Sequence, residues 1–231
     1  MSYLISVGTI ATRARQRANL EGATAFLPDA ELYDLINISY AEWYDLVRLT
    51  TWGGQYYRSA YSFSTVATTS AYALPADFLN LISVDIAITP NAQQVLTAKP
   101  YQEEERNMYR AYPFGWISDR PVYYQLQGPN INFIPIPQAA FQITLNYCPA
   151  AKQLAGDSDS IDSINGWEEW IVLDVAIKML TKDGQLDIMP ALTQQREAQR
   201  ARIQSAAYRR DRGQAERVHD RTGDFDYWGE G

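Results

Sequence analysis

A single cysteine, Cys148, and a single histidine, His219, occur in the 231 residues of this chain. One cysteine excludes an internal disulfide and any metal site built from several thiolates. It fits a reducing compartment. With one histidine, Ser–His–Asp and Cys–His catalysis would both depend on His219. That residue stands in a charged C-terminal stretch, away from the held geometry and orienting partner a catalytic base needs. The chain has no GxxxxGK[ST] phosphate loop and no HExxH helix. No apolar run is long enough to cross a bilayer, and the first residues lack the basic stretch and apolar run of a signal peptide. These absences predict a protein that is not an enzyme, carries no cofactor or metal, and does not work in a membrane.

The composition that remains is that of a globular protein, with 46% hydrophobic and 20% charged residues. The chain is long enough to bury an adequate core without staples. Sixteen tyrosines suit a β-rich part and broad contact surfaces. The net charge of −7 argues against nucleic-acid binding by the protein as a whole.

Apolar residues at Val7, Ile10, Ala11, Ala14 and Ala18 recur at helical spacing. A second helix opens at Leu27-Pro-Asp-Ala-Glu-Leu, where Pro28 suits the first turn and Asp29 and Glu31 suit its positive end. Leu32, Leu35, Ile36, Trp43, Leu46 and Val47 keep one face apolar until Gly53-Gly54. From Tyr56 to Tyr147 the period shortens to that of strands: 71–75, 81–88, 94–98, 122–126, 131–134 and 141–147, with a hairpin turn at Gly128-Pro-Asn130. A short helix is expected over 101–109. A polar loop, 156–163, precedes a third long helix, for which Asn165 and Glu168 have capping-box spacing. Trp170 to Leu180 is apolar almost all round, with Asp174 and Lys178 placed for an i,i+4 ion pair. The fourth helix, after Asp187 and Pro190, has strong propensity and only a thin alanine stripe, Ala191, Ala198 and Ala201. Such a helix is either exposed or packed closely along a neighbour.

These elements predict an α+β fold. Residues 1–55 and 163–211 form a four-helix bundle, 56–162 an inserted antiparallel β-rich subdomain, and 212–231 an extended C-terminal tail. The stretch 209–231 is dominated by charges of both signs until Phe225, Tyr227 and Trp228. It holds too little apolar surface to offset its own ordering entropy. Aromatic side chains are favoured interface anchors, which points to a receiving protein.

The order of parts resembles the head-to-tail adaptor, or connector, proteins of tailed bacteriophages. Leu27-Pro-Asp-Ala-Glu-Leu with Ile36-Asn-Ile-Ser-Tyr40 is similar to the family's early helix. Tyr72-Ala-Leu-Pro-Ala-Asp-Phe-Leu79 resembles its leucine–proline–aspartate–phenylalanine strand end. Pro121 to Gly128, Ile131 to Pro137 and Leu145-Asn-Tyr147 resemble its hairpin, and Trp167 to Leu180 its late helix. The resemblance implies a virion structural protein made in the host cytoplasm. It implies a homo-oligomeric ring, commonly of about twelve copies, in which one heterologous contact repeats until it closes. The ring would sit in the neck beneath the portal protein, offer the tail a docking surface, and let genomic DNA pass through it. C-terminal segments in the family often dock on the portal. A tail-completion or neck ring below the adaptor is the alternative with the same needs.

The candidate portal contacts are therefore Arg209, Arg210, Arg212, Arg217, Phe225, Tyr227 and Trp228. Together with Arg196, Arg200 and Arg202 these arginines could instead touch DNA phosphates. Glu197, Asp211, Glu216 and Asp220 lie among them, and such mixed charge favours protein contact. Tyr112, Phe114 and Trp116 cluster outside a strand pattern, either as a contact for a neighbouring subunit or tail protein or tucked into their own β core. The run Glu103-Glu-Glu105 is a solvated helical face rather than a glycosidase pair, because adjacent helical carboxylates diverge. Asp157, Asp159, Asp162 and Glu168 suggest a calcium loop. Ile161 at its fifth position and Asp162 in place of glycine favour a turn and helix cap instead. A carbohydrate-binding module is a further alternative, suggested by the Tyr, Trp and carboxylate residues of the β part.

Overall fold

The computed structural model describes residues 2–22, 25–50, 52–88, 94–110 and 121–210. Five α-helices and ten strands occur among these residues, an α+β fold with mostly antiparallel sheets.

Helix α1 (Val7–Arg17) begins where Ser6 accepts a 3.3 Å hydrogen bond from the Thr9 amide, an N-cap. It buries Ile10, Ala11 and Ala14 on one face. Helix α2 (Asp29–Thr50) starts just after Pro28 with Asp29 and Glu31 in its first turn. Its inward stripe is Leu32, Ile36, Trp43 and Val47, each almost fully buried. The helix stops before the two glycines, and a 3-10 turn, Trp52–Tyr57, leads into the strands. Helix α4 (Glu169–Asp183) is buried from Trp170 to Leu180 except at Lys178. It packs against α1, α2 and the last helix, α5 (Met189–Arg210). Helix α4 ends at Gly184, whose φ of 77° lets its N–H reach the Leu180 carbonyl at 2.9 Å. This left-handed position favours a residue without Cβ.

Two strands that the sequence pattern did not reveal complete this part. Strand β1 (Ser2–Ser6) pairs antiparallel with β10 (Ser160–Ile164), which overlaps the end of the stretch expected to be a polar loop. Only Ile161 and Ile164 of β10 are large and apolar, so alternation over five residues with two serines gives a faint signal. Both isoleucines, with Ile5 of β1, belong to the same apolar core as the helices.

The remaining strands form two four-stranded sheets. One has the order β2 (Ser59–Ser64), β9 (Gln142–Pro149), β4 (Phe78–Ala87), β5 (Val95–Thr97). The other has the order β3 (Ala71–Ala73), β8 (Asn130–Ile134), β7 (Tyr123–Gln127), β6 (Lys99–Pro100), with β6 and β7 parallel. The hairpin between β7 and β8 turns at Gly128-Pro129, with Gln127 opposite Asn130. The two sheets share a second core of Val84, Ile86, Ile143, Leu145, Ile131 and Phe133. Period-2 alternation places these residues on facing surfaces. Helix α3 (Arg106–Arg110) follows a 3-10 turn, Glu103–Glu105.

The two cores meet at tyrosines. Tyr44 of α2 stacks on Tyr57 with ring centroids 4.1 Å apart, and its hydroxyl donates to the Pro149 carbonyl at 2.6 Å. The Tyr44 hydroxyl also lies 3.4 Å from the buried Cys148 thiol. Tyr56 donates to Asp162, and Arg58 reaches Asn146 at 2.8 Å. Both chain crossings between the cores are thereby tied down.

Candidate assembly interface

The last helix is the natural place to look for an assembly surface, because it carries the chain toward the expected portal contacts. Its apolar attachment is thin: among the described side chains Leu192, Ile203 and Ala207 are buried, with Met189 and Ala206 partly buried against the same core. Ala198 and Ala201, which suggested the packed stripe, are exposed, as is Ala191. Leu192 and Ile203 bury more apolar area per residue, so they set which side turns inward.

A charge completes the attachment. Arg196 Nη1 lies 2.7 Å from Asp174 Oδ1, and the Asp174 side chain is 2% exposed. Asp174 also accepts from Ser39 Oγ at 2.7 Å and pairs with Lys178 Nζ at 2.7 Å. Lys178 reaches Glu42 at 2.9 Å. One buried carboxylate thus joins α2, α4 and α5. Burial pushes the Asp174 carboxyl up, but Lys178, Ser39 and Arg196 outweigh it and hold the group below the ordinary aspartate value. The i,i+4 pair of Asp174 and Lys178 forms as the spacing predicts. Arg196, grouped by sequence with the arginines that could touch DNA phosphates, is turned into the fold instead. Its pairing with Asp174 exists only because α5 folds back along α4.

A second buried carboxylate sits where α1, α4, β1 and β10 meet. Glu168 accepts from Ser163 Oγ and from Tyr3 Oη, both at 2.5 Å, with Arg13 Nη1 at 3.5 Å. Burial raises its pKa, but the two hydroxyls and Arg13 outweigh that and leave the carboxyl below its usual range. The expected capping box with Asn165 does not form. Asn165 takes a left-handed φ of 49°, and the Glu168 amide donates to Ser163 Oγ at 3.3 Å. The strand pairing of β1 and β10 places Ser163 and Tyr3 on the Glu168 carboxylate instead.

Arginines gather around this end of α4. Arg17 pairs with Glu169 at 2.6 Å, and Arg202 donates to the Asn165 carbonyl at 2.9 Å. Arg13, Gln16, Arg17 and Glu169 line an open depression of about 380 Å³. Arg200 has only a 3.8 Å contact with Glu197.

Among the expected contacts, Arg209 and Arg210 fall in the last turn of α5, and their side chains lie outside the described residues. Arg212, Arg217, Phe225, Tyr227 and Trp228 lie outside them too, as do His219, Tyr112, Phe114 and Trp116. The carboxylates considered for calcium have diverging partners. Asp157 accepts from Tyr33, Asp159 from Lys152 and the amides of Ala155 and Gly156, and Asp162 from Tyr56. In the acidic run, Glu103 pairs with Arg106 and Glu105 accepts from Tyr109.

The model of the SU10 adaptor protein family matches residues 5–225. No curated protein matches the chain. The match covers nearly the whole sequence and agrees with the resemblance to phage head-to-tail adaptors: the chain belongs to the SU10 adaptor protein family.

Proposed function

We propose that this SU10 adaptor family member forms a ring beneath the portal of a tailed phage and presents the docking surface for the tail. The family match over residues 5–225 carries this reading. The charge-locked α5 supports it, because a helix fixed in register delivers the residues after it from a defined position. The protein acts by binding geometry and has no catalytic role. Segment 212–231 docks on the portal, with Phe225, Tyr227 and Trp228 as aromatic anchors. Arg209, Arg210, Arg212 and Arg217 set the contact by pairing with carboxylates. Repetition around a closed ring lets each contact be modest.

The test is deletion of residues 212–231 followed by co-sedimentation with the cognate portal. A loss of at least tenfold in apparent affinity supports the docking role, and unchanged binding removes it. Replacing Phe225, Tyr227 and Trp228 by alanine separates the aromatic anchors from the charged segment. Electron micrographs of portal mixed with the intact protein should show a ring beneath the portal.

A further inference from the structure

Strand β2 leaves one side of its sheet open. Among the described residues it pairs with β9 alone, in unbroken register from Ser59 opposite Tyr147 to Ser64 opposite Gln142. The other edges of the two four-stranded sheets are blunted: β3 and β5 have three residues each, and β6 is Lys99-Pro100. Strand β2 reads Ser-Ala-Tyr-Ser-Phe-Ser and carries no charge, proline or bulge. The Thr65 amide donates to the Phe141 carbonyl at 2.9 Å, one step further in the same register. An antiparallel ladder alternates, so Ser59, Tyr61 and Phe63 turn their N–H and C=O groups toward β9, and Ala60, Ser62 and Ser64 turn theirs outward. The latter three residues are exposed. An uncharged open edge is a template for another strand.

One face of this edge is aromatic. Tyr61 and Phe63 have ring centroids 5.9 Å apart, and Phe63 lies 5.1 Å from Tyr72 of β3, the edge strand of the other sheet. Tyr61 is 39% exposed. The three rings form an open margin of the second core. The opposite face carries hydroxyls, Ser62 beside Thr144 and Ser64 beside Gln142.

The chain holds a segment with the same alternation. Read as a strand, Asp224-Phe-Asp-Tyr-Trp228 puts Phe225 and Tyr227 on one face and Asp224, Asp226 and Trp228 on the other. Laid beside β2, its two inner aromatics fall at Tyr61 and Phe63, and its carboxylates fall on the hydroxyl face. Helix α5 ends at Arg210, and residues 211–223 can span about 45 Å when fully extended. They also start from the near side of the molecule. Arg202, about two turns before the end of α5, donates to the Asn165 carbonyl next to β10. Tyr56, just ahead of β2, donates to Asp162 of β10.

We propose that residues 224–228 add to the β2 edge of their own chain before assembly, covering the outward backbone groups and the aromatic margin. Main-chain hydrogen bonds hold such an added strand, and alternate side chains set its register. Tethering makes the contact intramolecular, so a weak strand addition suffices. Phe225 and Tyr227 cannot sit at β2 and on the portal at once. The β2 edge is thus a parking place that the portal must outcompete, and it rests on the adaptor reading only for the partner that takes the segment away.

The experiment uses the full-length protein without portal. Chymotrypsin cuts after Phe225, Tyr227 and Trp228, and mass spectrometry follows release of the C-terminal peptides. Ser62→Pro removes an outward N–H and no bond to β9, so the sheet tolerates it while an added strand does not. Cleavage should be at least tenfold faster in Ser62→Pro than in wild type, and equal rates overturn the proposal. Amide hydrogen exchange gives a readout with β2 unaltered. Ala60, Ser62 and Ser64 should exchange at least tenfold faster in Phe225→Ser/Tyr227→Ser and after deletion of residues 224–231. Unchanged exchange in these variants overturns the proposal too. Circular dichroism checks folding, and should Ser62→Pro fail to fold, the exchange measurement decides alone. Protection that disappears on dilution assigns the segment to another copy and overturns the contact within one chain. Failure of these tests leaves portal docking untouched, because no portal is present. Portal docking fails separately, through unchanged co-sedimentation of the shortened protein.

Discussion

Asp174 and Arg196 meet at 2.7 Å with the aspartate all but sealed from solvent, so the last helix meets the core through a buried ion pair as well as through its apolar contacts. Asp174→Ala leaves Lys178 with Glu42 and Arg196 with Glu197 but removes the carboxylate that joins three helices, and is expected to cost about 1.5–3 kcal/mol. Arg196→Met should cost less, because Ser39 and Lys178 still satisfy the carboxylate and the methionine stem still packs. Urea unfolding of the two variants checks the order, and equal losses would contradict it.

The two buried carboxylates make stability depend on pH with a definite sign. Asp174 and Glu168 both have folded-state pKa values below their ordinary ones. Such groups contribute fully above the unfolded-state values of about 4, and the contribution fades as pH falls through the lower folded values. The melting temperature should therefore be flat from neutral pH down to about 5 on this account and drop below about 4. Asp174→Asn should flatten the acid limb. A variant whose acid limb matches wild type would assign the pH dependence to other groups.

The junction between the cores rests on Tyr44. Tyr44→Phe keeps the ring stack on Tyr57 but loses the 2.6 Å bond to the Pro149 carbonyl. The expected cost is about 1 kcal/mol. Tyr44→Ala removes the stack as well and should cost several times more. Comparable losses in the two variants, measured by thermal unfolding, would show that the stack contributes nothing.

Gly184 closes α4 in the left-handed region at φ 77°, with open space around the position a Cβ would take. Gly184→Ala is therefore not a clash but a backbone penalty, about 1–2 kcal/mol. Calorimetry should show that loss, whereas Gly156→Ala, with open space and no left-handed φ, should be close to neutral.

Much of the helical part was legible in the chain. The apolar stripe of α2, the all-round apolar run of α4 and the spacing of Asp174 and Lys178 are local patterns with a 3.6-residue period. The longer strands and the Gly128-Pro129 turn were legible from equally local signals, β-branched and aromatic runs bounded by turn residues. Strands β1 and β10 were not, because two short, serine-rich segments are strands only through each other, about 160 residues apart in the chain. The tyrosine junction and the Glu168 cluster escaped for the same reason, since Tyr44 with Pro149 and Tyr3 with Glu168 are distant pairs. The proposed aromatic contacts carry no geometry, because Tyr112, Phe114, Trp116 and residues 212–231 lie outside the described part.

The sequence by itself determined the α+β class, the order of helices and strands, and the family to which the chain belongs, because periodicity and motif order are properties of neighbouring residues. Only the tertiary structure decided which side of α5 faces in and that Arg196 serves the fold. Those outcomes depend on which distant side chains can satisfy a buried carboxylate or fill an apolar gap, and on the cost of leaving either unfilled.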